Sequence, residues 1–196
     1  MSVLIEIDID AEIQKLNRQL AAFPKEASSI LRNSINATSR KVRKQIVLDI
    51  EGRYAISKPH ILKDVSEGAP KITNARESNM TAYIRSKGPM RDIMDFMTRP
   101  NTETGAAAAK VLSNSPMRTL QKGNLKAFVA QFKSGHVAIV QREGPKRLPV
   151  KKLLSPAVPH MLRNEEVRMQ AEELAYRTLQ TEIAKRVAKL NIARGA

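Results

Sequence analysis

Residues 125–162 read LKAFVAQFKSGHVAIVQREGPKRLPVKKLLSPAVPHML. Apolar residues dominate Lys126–Phe132 and His136–Gln141, on either side of Lys133-Ser134-Gly135. That is the composition of two strands joined by a tight turn, with glycine where the backbone must be left-handed. The chain then changes character. Residues 142–161, REGPKRLPVKKLLSPAVPHM, set Arg142, Lys146, Arg147, Lys151 and Lys152 among Pro145, Pro149, Pro156 and Pro159. With Arg163 just beyond, these bases are the candidate interaction residues. A stiff cationic segment between a strand and a helix fits a nucleic-acid site, a processing signal or an arm that grips a neighbouring protein.

Downstream, Asn164 is a good helix cap, and Glu165 and Glu166 suit the positive start of a helix. Val167, Ala171, Leu174, Leu179, Ile183, Val187 and Leu190 then recur at helical spacing, so a helix is expected from Asn164 to about Ile192. Upstream, Ala27, Leu31, Ile35, Thr38, Val42, Ile46 and Ile50 keep the same period and predict a helix of about seven turns that ends at Gly52. Before it, Val3, Ile5, Ile7 and Ile9 alternate with acids, the pattern of a strand with one wet face. Asp10 then caps a helix carrying Ile13, Leu16, Leu20 and Phe23. A short helix is expected at Pro59–Val65. Between residues 66 and 125, KITNAR and MTAYIRS read as strands, and RDIMDFMTRPNTETGAAAAK reads as an irregular excursion.

Composition bounds the function. The chain has 196 residues, a size that suits one domain, and 42% of them are apolar, enough for a core. It divides into 1–65 (strand and N-terminal helices), 66–125 (excursion), 126–163 (hairpin and basic arm) and 164–192 (last helix). Cysteine is absent, which removes disulfides, thiolate metal sites and cysteine nucleophiles together. The start, MSVLIEIDID, carries acids where a signal peptide carries bases, and no apolar run approaches the roughly 18 residues that span a bilayer, so a soluble, non-secreted chain is expected. The net charge of +15 points to acidic partners. Its excess is local: from Gly105 to Arg163 the only acid is Glu143, against Lys110, Arg118, Lys122, Lys126, Lys133 and the six candidate bases.

Chemistry finds no foothold. His60, His136 and His160 are far apart with no metal-ligand spacing, the glycines form no phosphate-binding loop, and no nucleophile elbow is present. Glu173–Arg177 and Glu182–Arg186 read as solvated four-apart pairs. Single-stranded nucleic acid would call for aromatics exposed among the bases, and Phe128 and Phe132 read better as strand core. A cationic surface or an interface with an acidic subunit is therefore favoured over a nucleic-acid site.

The stretch GHVAIVQREGPKRLPVKKLLSPAVPHML, residues 135–162, resembles the signature of the phage minor tail protein Z family, the tail-completion proteins of long-tailed bacteriophages. Gln141-Arg142, Lys146-Arg147-Leu148-Pro149 and Pro156-Ala157-Val158-Pro159 follow the family's order. The chain departs at Ser155, where glycine is expected, and at Ala157 and His160, where serine and glutamine are expected. RNSINATSRKVRKQI resembles the family's N-terminal part. The resemblance implies an α+β fold, a small, mainly antiparallel sheet packed by two long helices. The residues by themselves give the same outline, to which they add the irregular excursion and the proline-rich basic arm.

The resemblance further implies a structural virion protein at the head-proximal end of the tail, with no catalytic role, cofactor or metal. It would form a ring of its own copies, a hexamer, between the tail tube or tail terminator protein and the head connector proteins, around the DNA channel. Its location would be the virion neck, and the host cytoplasm during assembly, with no membrane partner. Arg142, Lys146, Arg147, Lys151, Lys152 and Arg163 would then meet an acidic neighbour or face the DNA. The competing reading is a basic DNA-binding accessory protein that acts on the phosphate backbone.

Overall fold

A computed structural model of the chain describes residues 2–5, 14–15, 18, 24–58, 62–100 and 106–193. Two long helices organise it. Helix α1, Pro24–Arg53, buries all seven positions of the expected stripe, and Ile30, Ser34 and Ser39 widen that stripe. Helix α2, Val158–Leu162, is a short helix that buries Val158, Pro159, Met161 and Leu162. Helix α3, Glu165–Ala193, starts where Asn164 Oδ1 accepts the Glu166 backbone N–H at 3.2 Å, the expected cap.

The long helices run antiparallel. Arg53 pairs with Glu166 at one end, Lys41 Nζ lies 2.9 Å from Glu182 Oε1 further along, and Arg186 Nη2 donates to the Asn33 carbonyl at 3.4 Å. Small buried residues on both, Ser34 and Thr38 on α1 and Ala171, Ala175 and Thr178 on α3, let the axes approach closely. Strands β1 (Ser2–Ile5), β2 (Lys71–Thr73) and β3 (Tyr83–Lys87) form an antiparallel sheet in the order β1-β3-β2. This sheet sends Ile84 into a core with Val42, Ile46 and Ile50 of α1, Met161 and Leu162 of α2, and Val167 and Ala171 of α3. Gly88, just after β3, comes so close to Gly68 that a Cβ on it would lie 2.7 Å from the Gly68 Cα.

Short strands build a second body: β4 (Arg91–Asp92), β5 (Met97–Arg99), β6 (Ala108–Lys110), β7 (Arg118–Thr119), β8 (Gln121–Lys122), β9 (Leu125–Lys126), β10 (Phe128–Gln131), β11 (Val137–Arg142), β12 (Val150–Lys152) and β13 (Leu154–Ser155). They pair antiparallel as β5-β6-β7, β8-β9, β10-β11-β12 and β13-β4. Their own core is Ile93, Ala107, Ala109, Ala127, Val129 and Ile139, with Leu120, Val137 and Leu153 packed against it. The fold is α+β, with two long helices and several small antiparallel sheets.

Three expectations need correction. The strands expected in KITNAR and MTAYIRS are present as β2 and β3 of the helical body, whereas RDIMDFMTRPNTETGAAAAK is not irregular throughout: its described residues carry β4, β5 and β6, and Ile93, Ala107 and Ala109 share a core with the hairpin. The basic segment is not an extended arm. Backbone pairing folds it into β12, β13 and α2, with Gln141 opposite Lys151 and Arg142 opposite Val150. The short helix expected at Pro59–Val65 does not reach Val65: Leu62 is 3-10 helical and residues 63–65 are not helical, while residues 59–61 lie outside the described residues. Also outside them are Ile7, Ile9, the Asp10 cap, and Ile13, Leu16, Leu20 and Phe23. No described helix is long and apolar enough to cross a membrane.

Glu182 is a fourth correction, since it is buried in the helix seam and not solvated. The hydrogen bond from Lys41 holds its carboxyl below the ordinary 4.5, helped by Arg186 and Lys185 and opposed by burial. A depressed carboxylate pKa contributes stability that is fully present above the unfolded value, and this is lost as pH falls through the folded value. Glu182→Gln should therefore cost about 1 kcal/mol at neutral pH. Urea titrations of the two proteins should converge once the pH drops well below 4.5. A gap that persists there would show that packing, not charge, is what Glu182 supplies.

Candidate functional site

Cross-strand register decides what the sheet β10-β11-β12 presents. Partners opposite one another in a pleated sheet point to the same face, and neighbours along a strand to opposite faces. Val129 pairs with Ile139, and both enter the core of the second body. Phe128 pairs with Val140, which pairs in turn with Lys152, so these three share the other face. Ala130, Ala138, Arg142 and Val150 lie on that face by alternation. At the turn end of the hairpin, Phe132 and His136 continue it with their rings stacked, centroids 6.2 Å apart and planes 22° from parallel. The turn between them needs Gly135, whose φ is +80°.

The bases on this face are held. The Arg142 guanidinium carbon lies 5.5 Å from the Phe128 ring centroid, within range of a cation–π contact. Lys152 Nζ lies 2.8 Å from Asp92 Oδ2 and 3.4 Å from His136 Nε2. Asp92 sits opposite Leu154, itself half exposed, so the face runs on from β12 into β13 and β4. Lys151 is exposed on the reverse side, opposite Gln141.

The loop from β11 to β12 carries the other candidates. The Glu143 N–H donates to the Pro149 carbonyl at 3.2 Å and closes the loop at its base. Lys146 and Arg147 are exposed at its tip, and Leu148 beside them is 67% exposed. Among the described residues no ion pair engages Lys146, Arg147 or Lys151. Arg163 is exposed at the α2–α3 junction, where its N–H donates to the Pro159 and His160 carbonyls. The six candidates thus divide into a pair fixed on the sheet face (Arg142, Lys152), a set at the loop and its edge (Lys146, Arg147, Lys151) and a separate residue, Arg163.

Phe132 overturns an expectation: it is 42% exposed, not core. Its signal was in the sequence, because strand alternation that buries Val129 and Ile139 must turn Phe128 and Phe132 the other way. At the end of the helix pair where Arg53 meets Glu166, Leu48, Asp49, Arg53, Asn114, Glu166 and Gln170 line a shallow groove of about 380 Å³. Among the described residues no cluster of His, Cys, Asp or Glu could hold a metal ion. Comparison with protein-family models, with curated proteins and with solved structures returns no match to this chain.

Proposed function

We propose that the chain is a structural subunit of the head-proximal end of a phage tail, completing the tail and joining it to the head around the DNA channel. In this reading it performs no reaction, binds no cofactor, and closes into a ring with copies of itself, a hexamer. Its further partners are the tail tube or terminator protein on one side and head connector proteins on the other, and its place is the virion neck. The resemblance of residues 135–162 motivates the reading.

The observation that carries it is the loop between β11 and β12. It holds Leu148 out as an apolar anchor beside Lys146 and Arg147, on a base closed by backbone pairing. Interfaces draw most of their energy from a few anchor residues, arginine prominent among them, presented with little conformational freedom to lose. A sheet-mounted loop supplies that rigidity better than a free arm would. Closed rings need heterologous contacts, one surface meeting a different surface of the next copy.

The test is reversal of Arg147 and Lys151 together to glutamate. Both are exposed and unpaired among the described residues, so the monomer should keep its circular dichroism and unfolding midpoint. Incorporation into tails, scored by complementation and electron microscopy of particles, should fall to background. Normal incorporation would reject the role assigned to this loop.

A further inference from the structure

We infer that the face of the β10-β11-β12 sheet opposite its core, on which Ala138 and Val140 are buried but Phe132, His136, Arg142 and Lys152 reach solvent, binds single-stranded nucleic acid by base stacking on Phe132 and His136 and on the Arg142–Phe128 pair. This site is separate from the loop tip and goes beyond the structural role. Three observations meet there.

The first is flat unsaturated surface left open to solvent. Phe132 is 42% exposed and already stacked on an exposed imidazole, an arrangement that leaves room for a further ring. The second is spacing. Phe128 and Phe132 are four residues apart on one strand face, about 13 Å, which gives two platforms along a single path. The Arg142 guanidinium over Phe128 is itself a stacking plane for a base. The third is charge. Residues 105–163 carry Glu143 as their only acid, and Lys133, Arg142 and Lys152 belong to these strands and their turn, with Asp92 of β4 set against Lys152.

Bases alone would suit any polyanion. Exposed rings among bases discriminate, because every nucleobase offers a π-face, whereas an acidic protein segment gains little from them. A duplex hides its base faces within its own stack, so the site should prefer unpaired strands.

The experiment uses the full chain and fluorescence anisotropy with labelled oligonucleotides of about 15 nucleotides, within the span of known single-strand sites. The expected result is salt-sensitive binding of oligothymidylate that is at least tenfold tighter than binding of a duplex of the same length. Phe132→Ala should weaken it by about tenfold or more, and Phe132→Tyr should keep it, since stacking needs only the ring. Phe132 lies on the surface, so both variants should fold; Met169→Ala, on α3, is the control for an exposed apolar residue elsewhere. Three outcomes would overturn the inference: equal affinity for single strand and duplex, unchanged affinity in Phe132→Ala, or equal competition by polyglutamate. The last would mark the face as a dock for acidic protein. Tail incorporation by Phe132→Ala, set beside that of the loop variant, separates failure of this site from failure of the structural role.

Discussion

Arg91→Ala should lose about 3–5 kcal/mol of folding stability, one of the largest effects of any single substitution in this chain. Arg91 is 7% exposed on β4 and Asp95 is 4% exposed four residues on. Nε and Nη2 of Arg91 both reach Asp95 Oδ2, at 2.9 and 2.7 Å, while Nη1 pairs with Glu67 beside the Gly68–Gly88 contact. Removing the guanidinium leaves a buried carboxylate whose one remaining ion-pair partner among the described residues is Lys58, 3.4 Å from its other oxygen, and the Lys58 side chain is 49% exposed. An uncompensated buried charge is what makes breaking such a pair costly, more than the attraction that is lost. The control follows from that reasoning. Arg91→Met combined with Asp95→Leu removes both charges at similar volume and should recover most of the loss, so a double-mutant cycle in urea should show strong coupling. Independent, additive losses would mean that Arg91 acts through packing of its stem. Arg91→Lys should rescue poorly, because an ammonium cannot reproduce the forked contact.

Whether a feature could be read from the sequence depended on how long its pattern ran. Helix α1 repeats its apolar period over about seven turns, and every residue assigned to its stripe is buried. The seam of α3 was partly hidden, since Thr178 and Glu182 are buried there and a reading based on apolar spacing passes over polar residues. The hairpin was plain because Gly135 marks its turn and its strands are long enough to show apolar runs. Between residues 91 and 126 the strands have two or three residues, too few for alternation to register, and alanines such as Ala107, Ala109 and Ala127 do the core packing. Strand β12 was concealed by composition: Val150-Lys151-Lys152 between prolines reads as solvated arm until backbone pairing to β11 is known. The candidate bases were visible as charge, but their division into fixed and free sets was not. It depends on Phe128, Asp92 and His136, which are distant in sequence or on the neighbouring strand.

Phe96→Ala tests whether the two bodies act as one. Residues Ile93–Asp95 form a single 3-10 turn capped by Asp92, whose side chain accepts the Met94 N–H. The turn sends Ile93 into the core of the second body, while Phe96, just past it and 1% exposed, enters the helical core with Tyr54, Val158 and Met161. Removing the ring should cost about 3–5 kcal/mol, because the surrounding residues cannot close the hole it leaves. Where that loss is felt is the informative part. Hydrogen exchange read by mass spectrometry resolves Val42–Ile50 of α1 from Val137–Val140 of β11, and each segment opens with its own free energy. If Phe96 couples the bodies, both segments should lose protection by similar amounts. Loss confined to α1 would mean that the sheet body stands alone on the helical one. Coupling matters for the proposed role, since a loop tip and a sheet face can hold partners in fixed register only if the body that carries them is fixed to the helices.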